Sequence, residues 1–283
     1  MAEGQDVRVR PAAFERAAAT YDEAAALQQE VGRRLVERFE LLRVEPTAVL
    51  DIGAGTGTAT RLLMERYRRA RFTALDPALA MLRSARRRAP RWRRLRTVAG
   101  RAEALPLATG SFDIVFSNLA LHWVTDLAAA FSDIRRVLRP GGVLMFTAFG
   151  PDTLAELRDA WAAVDGSARV NTFVDMHDIG DAMARARLAE PVMDMERLTL
   201  TYAGPEALLR ELRDTGSHAI AGGRPRGLTT PRRLQAMYAA YPRGGADGPD
   251  RIAATYEIIY GHAWGTGEIF RPGERARAAT ASP

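Results

Sequence analysis

The sequence predicts an α/β protein with a doubly wound, mainly parallel sheet, and three observations carry this prediction. Apolar, β-rich runs alternate with helical stretches between residues 48 and 149. A glycine-rich turn joins the first of these strands to the first helix, and an acidic residue ends the second strand. Because parallel strands need crossover helices, such alternation is typical of a sheet covered by helices on both faces.

The first strand, turn and helix lie in "AVLDIGAGTGTATRLLMERY". Ala48–Ile52 is a short β-rich run, and a helical pattern begins at Thr58. The glycines of the turn are Gly53, Gly55 and Gly57. Glycine here lets a ligand approach the backbone closely. The spacing differs from the G-x-G-x-x-G of dinucleotide-binding turns, and Asp51 at the strand end favours a cationic ligand that carries an amino acid.

The second strand, "RFTALD", ends at Asp76. This acid follows the glycine turn by about 20 residues, the offset at which an acid hydrogen-bonds ribose hydroxyls in doubly wound folds. Pro77 is predicted to open the next helix, as proline does at a first helical position. Met81 falls on the inner face of that helix, where core packing and contact with an adenine ring are both open to it.

Three more strands continue the pattern. Leu95–Ala99 is predicted as the third strand, Phe112–Ser117 as the fourth, and "PGGVLMFTAF" as a turn followed by the fifth. Asp126–Leu138 is predicted as the helix between the fourth and fifth strands.

The rest of the chain predicts further elements of the same domain. Pro151–Asp165 is expected to be helical, and Pro191–Tyr202 and Ala253–Trp264 are expected to close the sheet as antiparallel strands. Helices near Pro205–Thr215 and Pro231–Tyr241 are expected to form a lid. The stretch "PRGGADGPD" is predicted as a mobile loop and "RPGERARAATASP" as a disordered tail.

The composition excludes several kinds of chemistry. Of the 283 residues, 47% are hydrophobic and 26% charged, as in globular proteins with a full core. The chain has no cysteine, which excludes thiolate catalysis, and its 40 basic residues are all arginine, which excludes lysine Schiff bases. No apolar run approaches the roughly 20 residues of a membrane span, and no secretion signal is evident. We therefore expect a cytoplasmic protein without a membrane partner, whose net charge of +6 favours an acidic one.

The densest basic stretch is Arg83–Arg96, which contains Trp92. Arginines and an aromatic side chain together are typical of nucleic-acid binding. The same stretch also fits a solvated helix face that runs into a loop at Pro90, and this interpretation is preferred because no RNA-binding fold signature accompanies the patch. Docking of an acidic carrier protein is a third interpretation.

A second cluster raises the question of a metal site. Asp175, His177, Asp178 and Asp181 fall within seven positions, and such side chains bind manganese, iron or zinc. Their spacing fits no dedicated ligand template. A cap at Asp175 or Asp178, with acids in the first turn of a helix, explains the same pattern.

Taken together, these residues resemble the class I S-adenosylmethionine-dependent methyltransferases. The resemblance implies a Rossmann-like, seven-stranded methyltransferase sheet with a helical insertion lid, and S-adenosyl-L-methionine as cofactor. In that family the D-x-G-x-G-x-G turn passes the methionine part, the acid of the second strand binds ribose, and a residue past the fourth strand lies beside the sulfonium. The cofactor-binding residues implied are Asp51, Gly53, Gly55, Gly57, Asp76, Met81, Ala102, Glu103 and Asn118.

One position departs from that family. Ala102 and Glu103 match the residues that bracket the adenine ring, but Arg101 stands where relatives usually carry an aspartate against the adenine amine. An arginine side chain has no hydrogen-bond acceptor. The departure implies that Arg101 either stacks on the ring or weakens adenine recognition.

Segments outside the cofactor turn resemble a narrower family, the malonyl-[acyl-carrier protein] O-methyltransferases of biotin synthesis. They are "FERAAATYDEAAALQQEV", "FGPDTLAELRDAW", "VNTFVDMHDIGDAM", "PVMDMERLTLTY" and "ATYEIIYGHAW", and the likeness runs from Phe14 to Trp264. The family uses no metal, so the cluster at 175–181 is expected to cap and orient a helix over the substrate side. The expected organisation is one methyltransferase domain over 1–283, with a helical lid (1–45), a cofactor core (46–150), substrate-side helices and closing strands (151–265) and a flexible tail (266–283).

The implied reaction methylates the free carboxylate of a malonyl thioester on acyl carrier protein or coenzyme A. Because guanidinium pairs with carboxylate bidentately, Arg224 is a hypothesis for the residue that holds this carboxylate. Tyr21 is a hypothesis for a lid residue over the cofactor. His122 and Trp123 are expected to face the same mouth, in a packing or shape role.

Three alternative functions remain open from the sequence. A relative of the same fold hydroxylates a protein arginine, and "SNLALHWV" and "DTLAELR" resemble its motifs. A methyltransferase for quinones or other small acids is the second. A cofactor-binding protein that docks RNA through the arginine-rich stretch is the third, although a nucleic-acid partner is not the favoured prediction.

Overall fold

The computed structural model describes residues 11–91, 93–166, 169–217, 229–244, 248 and 250–266. The strands are β1 (Ala48–Ile52), β2 (Arg71–Asp76), β3 (Leu95–Ala99), β4 (Phe112–Ser117), β5 (Leu138–Phe149), β6 (Ala189–Tyr202) and β7 (Ile252–Trp264). They form one sheet in the order β3-β2-β1-β4-β5-β7-β6. The first five are parallel, and β7 is antiparallel to β5 and β6. The predicted α/β class is therefore confirmed.

Helices cover both faces of this sheet. Those described are α1 (residues 11–17), α2 (Tyr21–Ala24), α3 (Ala26–Glu37), α4 (Thr58–Arg66), α5 (Leu79–Arg88), α6 (Leu127–Val137), α7 (Ala155–Asp165), α8 (Met176–Arg185), α9 (Pro205–Asp214) and α10 (Pro231–Ala240). Short 3-10 turns lie at Arg38–Leu41 and Leu121–Trp123. None of the described helices combines the length and apolar character that crossing a membrane requires.

The predicted start of α5 is wrong by two residues. Pro77 does not open the helix, which begins at Leu79 after an extended Ala78. The reason is local: a carboxylate oxygen of Asp76 accepts the backbone N–H of Ala78 at 2.8 Å. This bond holds the chain in a turn before the helix can begin.

The predicted start of α7 is also early. The helix begins at Ala155 and not at Pro151. Leu154, just before it, has a φ of +57°. Its N–H donates to the carbonyl of Thr255 on β7 at 2.7 Å, so the residues that precede α7 form a turn tied to the sheet.

Side chains of the central strands alternate between two hydrophobic cores. On one face Val49 and Phe116 pack in the same cluster as Leu35 of α3. On the other face Leu50 and Val115 belong to the cluster of α6 and α8. The alternation follows from the two-residue period of a strand. Burial on both faces explains why these strands are continuous apolar runs in the sequence.

The acidic cluster at 175–181 caps a helix. Asp175 is the N-cap of α8, and its carboxylate accepts the backbone N–H of His177 at 2.8 Å. In the part of the chain that the structure describes, no three His, Asp or Glu side chains are grouped to hold a metal ion. α8 packs against α6 and β6, and its Ile179 lines a small cavity with His122 and Phe149. The predicted position over the substrate side stays a prediction.

The insertion between β6 and β7 contacts the N-terminal helices. α10 packs on α7, while α9 contacts β6 and α2. The hydroxyl of Thr20 donates to the carbonyl of Asp214, at the end of α9, at 3.1 Å. The two segments predicted as lids therefore meet beside the carboxyl edge of the sheet.

Candidate active site

A cavity opens at the carboxyl ends of β1, β2, β3 and β4, where ligands bind in open α/β sheets. It measures about 1030 Å³ with its open mouth included. Seven of the nine cofactor-binding residues predicted from the sequence lie on its wall, all except Asp51 and Gly57. Tyr21, His122 and Trp123 also line it, as expected. The structure thus brings residues from positions 21 to 123 into one site.

The glycine turn forms the floor of this cavity, and two of its glycines are required by close packing. Gly53 has a φ of +69°, and a Cβ there would lie 2.2 Å from the Cβ of Ala120. Gly57 has a φ of +82°, and its Cβ would lie 2.8 Å from the Cα of Ala85. At Gly55, by contrast, a Cβ would meet nothing within 4 Å. The backbone at Gly55 is therefore open for a ligand to approach.

Asp51 lies behind the turn and not on the cavity wall. It is 1% exposed, and its carboxylate accepts a hydrogen bond from the Thr60 hydroxyl at 2.5 Å. Burial, together with the nearby charge of Asp76, raises the pKa of Asp51 to about 7. Its predicted role as a cofactor-binding residue stays a prediction. In the structure Asp51 ties β1 to α4, which fixes the turn.

Asp76 is the acid that faces the cavity. Its two carboxylate oxygens accept the backbone N–H groups of Gly55 at 3.0 Å and Ala78 at 2.8 Å. Burial, with a smaller contribution from the charge of Glu15, raises the pKa of Asp76 to about 6. Each oxygen keeps a lone pair for a further donor, which suits the hydroxyls of a ribose.

The raised pKa of Asp51 predicts a pH-dependent stability. The folded state holds the proton up to about pH 7, whereas the unfolded chain releases it near 3.8. Folded stability contributed by this group is therefore lost as the pH rises from about 4 to about 7. The Asp51→Asn variant lacks this titration, so its stability relative to the unsubstituted protein should rise over that window, by on the order of a few kcal/mol. Urea unfolding at several pH values measures the difference, and a constant difference would contradict the assignment.

The far end of the cavity contains an ion pair. Arg101 donates to a carboxylate oxygen of Glu103 at 2.7 Å, and the backbone N–H of Thr125 donates to the same oxygen at 3.2 Å. Burial raises the pKa of Glu103, but these bonds and the charge of Arg101 outweigh it, and the net pKa is lowered. Arg101 therefore orients Glu103 at the end of the cavity where the resemblance expects adenine.

Contacts from the N-terminal segment close the cavity from above. Glu15 accepts the backbone N–H of Ala80 at 3.0 Å, and the ring of Phe14 meets that of Trp123 edge to face at 5.4 Å. Burial, then the charges of Asp76 and Asp22, raises the pKa of Tyr21. Tyr21 thus stays a neutral phenol on the wall. Its predicted role in a moving lid stays a prediction.

Asn118 connects this segment to the end of β4. Its Nδ2 donates to the carbonyl of Gln28 at 2.9 Å, and its Oδ1 accepts from the hydroxyl of Thr147 at 2.9 Å. The same hydroxyl accepts the N–H of Leu119 at 2.9 Å. Both ends of the Asn118 carboxamide are therefore occupied by protein, and α3 is fixed against the inner end of the cavity.

A second cavity continues from the first between α7, α9 and α10. It measures about 1740 Å³ with its open mouth included. The residues that line both cavities are Gln28, Trp123, Phe149 and Ser217. His122 lies at the same junction, with its ring 4.7 Å from that of Phe149, which supports the expected packing role. None of the four shared residues carries a formal charge.

Two arginines of the described chain line the second cavity, Arg169 and Arg213. Arg169 pairs with Asp165 at 2.5 Å and lies over the ring of Trp161 at 4.2 Å. Arg224, predicted from the sequence to hold a carboxylate, lies outside the described residues. Its role stays a prediction: Arg224→Ala should raise the KM for a malonyl thioester about tenfold or more. An unchanged KM in steady-state assays would contradict it.

Most of the arginine-rich stretch lies at the opposite edge of the sheet, where its arginines line a groove with Arg71 and Arg139 at the amino ends of β2, β3 and β4. Arg88 instead donates to the carbonyl of Thr56 in the glycine turn at 3.0 Å. Arg93 in the groove donates to the carbonyls of Met64 and Tyr67, so this arginine has a structural role. Trp92 lies outside the described residues. A strand of six residues separates the two edges by about 20 Å, so the groove does not border the cavities.

Comparison with known proteins identifies the family. Residues 50–146 match a methyltransferase domain model. The chain is 50% identical to a malonyl-[acyl-carrier protein] O-methyltransferase of Halorhodospira halophila. The 266 aligned residues cover 94% of this chain and 90% of that protein. A relative of the same name from Laribacter hongkongensis is 49% identical over 278 residues, 95% of this chain and 91% of that one. The chain belongs to this family.

This chain shares its fold with more distant enzymes. A phosphoethanolamine N-methyltransferase of Haemonchus contortus, solved in complex with S-adenosyl-L-methionine, has a TM-score of 0.56 at 17% identity and covers 89% of this chain and 57% of that one. A SAM-dependent methyltransferase of Thermotoga maritima has a TM-score of 0.53 at 18% identity and covers 90% of this chain and 99% of that one. These structures show the class I fold, and the domain match and the two relatives identify the protein as an S-adenosylmethionine-dependent methyltransferase.

The first cavity fits this cofactor. Asp76 offers carboxylate oxygens to ribose hydroxyls, and the open backbone at Gly55 leaves room for the methionine part. Asp76 lies on the cavity wall and, with a pKa of about 6, is mostly ionised at neutral pH, which favours a ligand with positive charge. These features rest on this chain's own geometry and agree with the family assignment.

Several wall residues were missed by sequence analysis. Gln28, Phe149 and Ser217 line the cavity but belong to no motif with a recognised spacing. Gln28 lies in "FERAAATYDEAAALQQEV", a segment that carries the family resemblance but in which only Tyr21 was given a role. Only the packing of α3 against β4 brings its side chain to the site.

Proposed function

We propose that this protein transfers the methyl group of S-adenosylmethionine to the free carboxylate of a malonyl thioester carried by acyl carrier protein. The joined cavities carry this proposal: one fits the cofactor, and the other extends from its inner end toward solvent. The relatives from Halorhodospira halophila and Laribacter hongkongensis are named for the same reaction. The second cavity is lined by apolar as well as polar side chains, which suits an acyl-pantetheine arm.

The chemistry needs positioning more than proton transfer. A malonyl carboxylate is ionised at neutral pH, with a pKa near 4, so no general base is required. When bound, S-adenosylmethionine supplies an electrophilic methyl group on a positively charged sulfur. The protein's contribution is to hold the two reactants in line and to exclude water. Trp123 and Phe149 at the junction provide the apolar surround that this requires.

The proposed product has lost the charge of the malonyl group. As a neutral methyl ester on the carrier, it resembles an ordinary acyl primer that fatty-acid elongation can extend. We propose that it primes pimeloyl synthesis for biotin in the cytoplasm. The net charge of +6 favours an acidic carrier protein, although malonyl-coenzyme A carries the same reacting group.

A turnover assay with matched acceptors tests this function. S-Adenosylhomocysteine formation would be measured with malonyl-carrier, malonyl-coenzyme A, acetyl-carrier and a small quinone precursor. We expect turnover with malonyl thioesters and none with acetyl-carrier, which has no free carboxylate. Turnover that does not depend on the malonyl group would overturn the proposal. The ratio of kcat/KM for the two malonyl thioesters identifies the carrier.

The arginine-lined groove at the amino ends of β2, β3 and β4 provides an independent prediction. Because Arg86 and Arg87 lie at the amino edge of the sheet, the double variant Arg86→Gln, Arg87→Gln should leave kcat/KM for malonyl-carrier within about twofold of the unsubstituted protein. Both side chains are exposed, so the fold should tolerate the change. A raised KM for malonyl-carrier alone would place the carrier on this groove.

A further inference from the structure

The arginine-lined groove at the amino ends of β2, β3 and β4 has a charge pattern that the methyl-transfer site does not use. Eight of the described residues that line it are arginines, and none is Asp or Glu. The groove measures about 2350 Å³ with its open mouth included. A concave surface that carries charge of one sign concentrates ions of the opposite sign. The arginines of this groove that are exposed are Arg71, Arg86, Arg87, Arg91, Arg94 and Arg96.

Several exposed arginines elsewhere on the surface are paired with acids. On α3, Arg33 bonds to Glu30 at 2.7 Å, and on α4, Arg61 bonds to Glu65 at 2.9 Å. Within the described chain, none of the six exposed arginines of the groove forms an ion pair of this kind. Because every basic residue of the chain is arginine, arginine itself does not distinguish the groove. The lack of acids beside these arginines does.

The fold does not need the six exposed arginines. The other two arginines of the groove are structural, since Arg93 donates to backbone carbonyls at the end of α4 and Arg139 pairs with Asp113 at 2.7 Å. Of the exposed six, only Arg87 makes a side-chain hydrogen bond within the described chain, to Ser84 at 3.0 Å. Cations gathered in one groove repel each other, and a bound anion relieves that repulsion.

The lining of the groove favours phosphate groups over the surface of an acidic protein. Guanidinium groups bind phosphate bidentately. Stable protein interfaces have an apolar centre, whereas binding to a nucleic-acid backbone depends on charge and needs none. A positively charged groove that follows the backbone is also the usual site for a single strand. The described residues with large, exposed apolar side chains all lie outside the groove, and they are Leu41, Leu79, Val174, Val192 and Met195.

We propose that this groove binds the phosphate backbone of a single-stranded nucleic acid, without sequence preference. The end of α5 supplies Arg86 and Arg87, while Arg94 and Arg96 flank the first residue of β3. Phosphates are therefore bound from two elements, which lets a strand follow the groove. The groove and the cofactor cavity lie at opposite edges of the sheet, so this inference is independent of the proposed methyl transfer.

Fluorescence anisotropy with a labelled oligouridylate of about 12 nucleotides, at salt concentrations from about 50 to 200 mM, tests this proposal. We expect the affinity to fall steeply with salt, with a log–log slope of about −0.7 for each phosphate contact. The double variants Arg86→Gln, Arg87→Gln and Arg94→Gln, Arg96→Gln should each weaken binding at low salt. Each variant removes two contacts, so it should also reduce the size of the slope by about 1.4.

The double variant Arg33→Gln, Arg61→Gln is the matched control. It removes the same charge from paired arginines outside the groove, so it should leave the slope unchanged. All three variants should bind S-adenosylhomocysteine as the unsubstituted protein does, which checks that they are folded. If the unsubstituted protein does not bind the oligouridylate at low salt, or if the control variant loses as much affinity as the groove variants, the proposal is overturned. Equal displacement of the oligouridylate by poly-glutamate would assign the groove to an acidic protein, and would overturn the proposal too.

Discussion

Replacing Gly53 with alanine is expected to abolish cofactor binding and to lower the free energy of unfolding by about 3 kcal/mol or more. The added Cβ would lie 2.2 Å from the Cβ of Ala120, far inside van der Waals contact. This clash can be relieved only if the turn after β1 and the segment after β4 move apart. Both form the cavity wall, so the site opens as the clash is relieved. Titration calorimetry with S-adenosylhomocysteine and urea unfolding measure the two effects.

Two other glycines serve as controls for this prediction. Gly166 has the same φ of +69° but its Cβ would meet nothing within 4 Å, so Gly166→Ala measures backbone strain alone and should leave cofactor affinity intact. Gly55→Ala adds a Cβ into open space on the cavity wall, and should weaken cofactor binding with only a modest loss of stability. If Gly53→Ala behaves like Gly166→Ala, the described contact between the two segments is wrong.

Replacing Asp76 with alanine should weaken binding of S-adenosylhomocysteine about 100-fold or more, because two charge-assisted hydrogen bonds to the ribose would be lost. The residue is 8% exposed, and its oxygens already accept the N–H groups of Gly55 and Ala78. The turn therefore holds the carboxylate in a fixed orientation before ligand binds. Calorimetry over a range of cofactor concentrations gives the dissociation constant directly.

Asp113→Ala is the matched control for this substitution. Asp113 also accepts backbone N–H groups, from Thr47 at 2.7 Å and Ala48 at 3.0 Å, but at the amino end of β1. Its loss should cost stability and leave cofactor affinity unchanged. A similar loss of affinity in both variants would mean that the Asp76 effect is a general weakening of the sheet.

The strands were predictable because their signals are local. Strands β1 to β4 have the bounds predicted from the sequence. β1, β2 and β4 are almost entirely buried, whereas only Leu95 of β3 is buried. The starts of α5 and α7 were not predictable from the sequence, which indicated Pro77 and Pro151 in place of Leu79 and Ala155. In each case a bond from outside the helix, from the Asp76 carboxylate or to Thr255 of β7, decides where the first turn begins.

The cofactor wall was largely predictable because the strand ends of a doubly wound sheet converge on one edge. Gly55, Asp76 and Asn118 meet there although they are far apart in sequence. Asp51 shows the limit of that argument, because its contact with Thr60 turns an acid at a strand end into a structural group. Whether an acid faces a ligand or the core depends on packing that no motif records.

The substrate side was the least predictable part. Gln28 reaches the junction only because α3 folds back over β4, a contact between residues 90 positions apart. The cap at 175–181 was predictable because capping is local. The packing of α8 on α6 and β6 was not, because it depends on residues that are far apart in the chain.

The most direct test of the account is intact-protein mass spectrometry of malonyl-carrier incubated with this protein and S-adenosylmethionine. The account predicts that malonyl-carrier gains the mass of one methylene group and that acetyl-carrier gains nothing. Absence of any gain on malonyl-carrier, with cofactor binding intact by calorimetry, would contradict the account and direct attention to a protein arginine or a small acid as the acceptor.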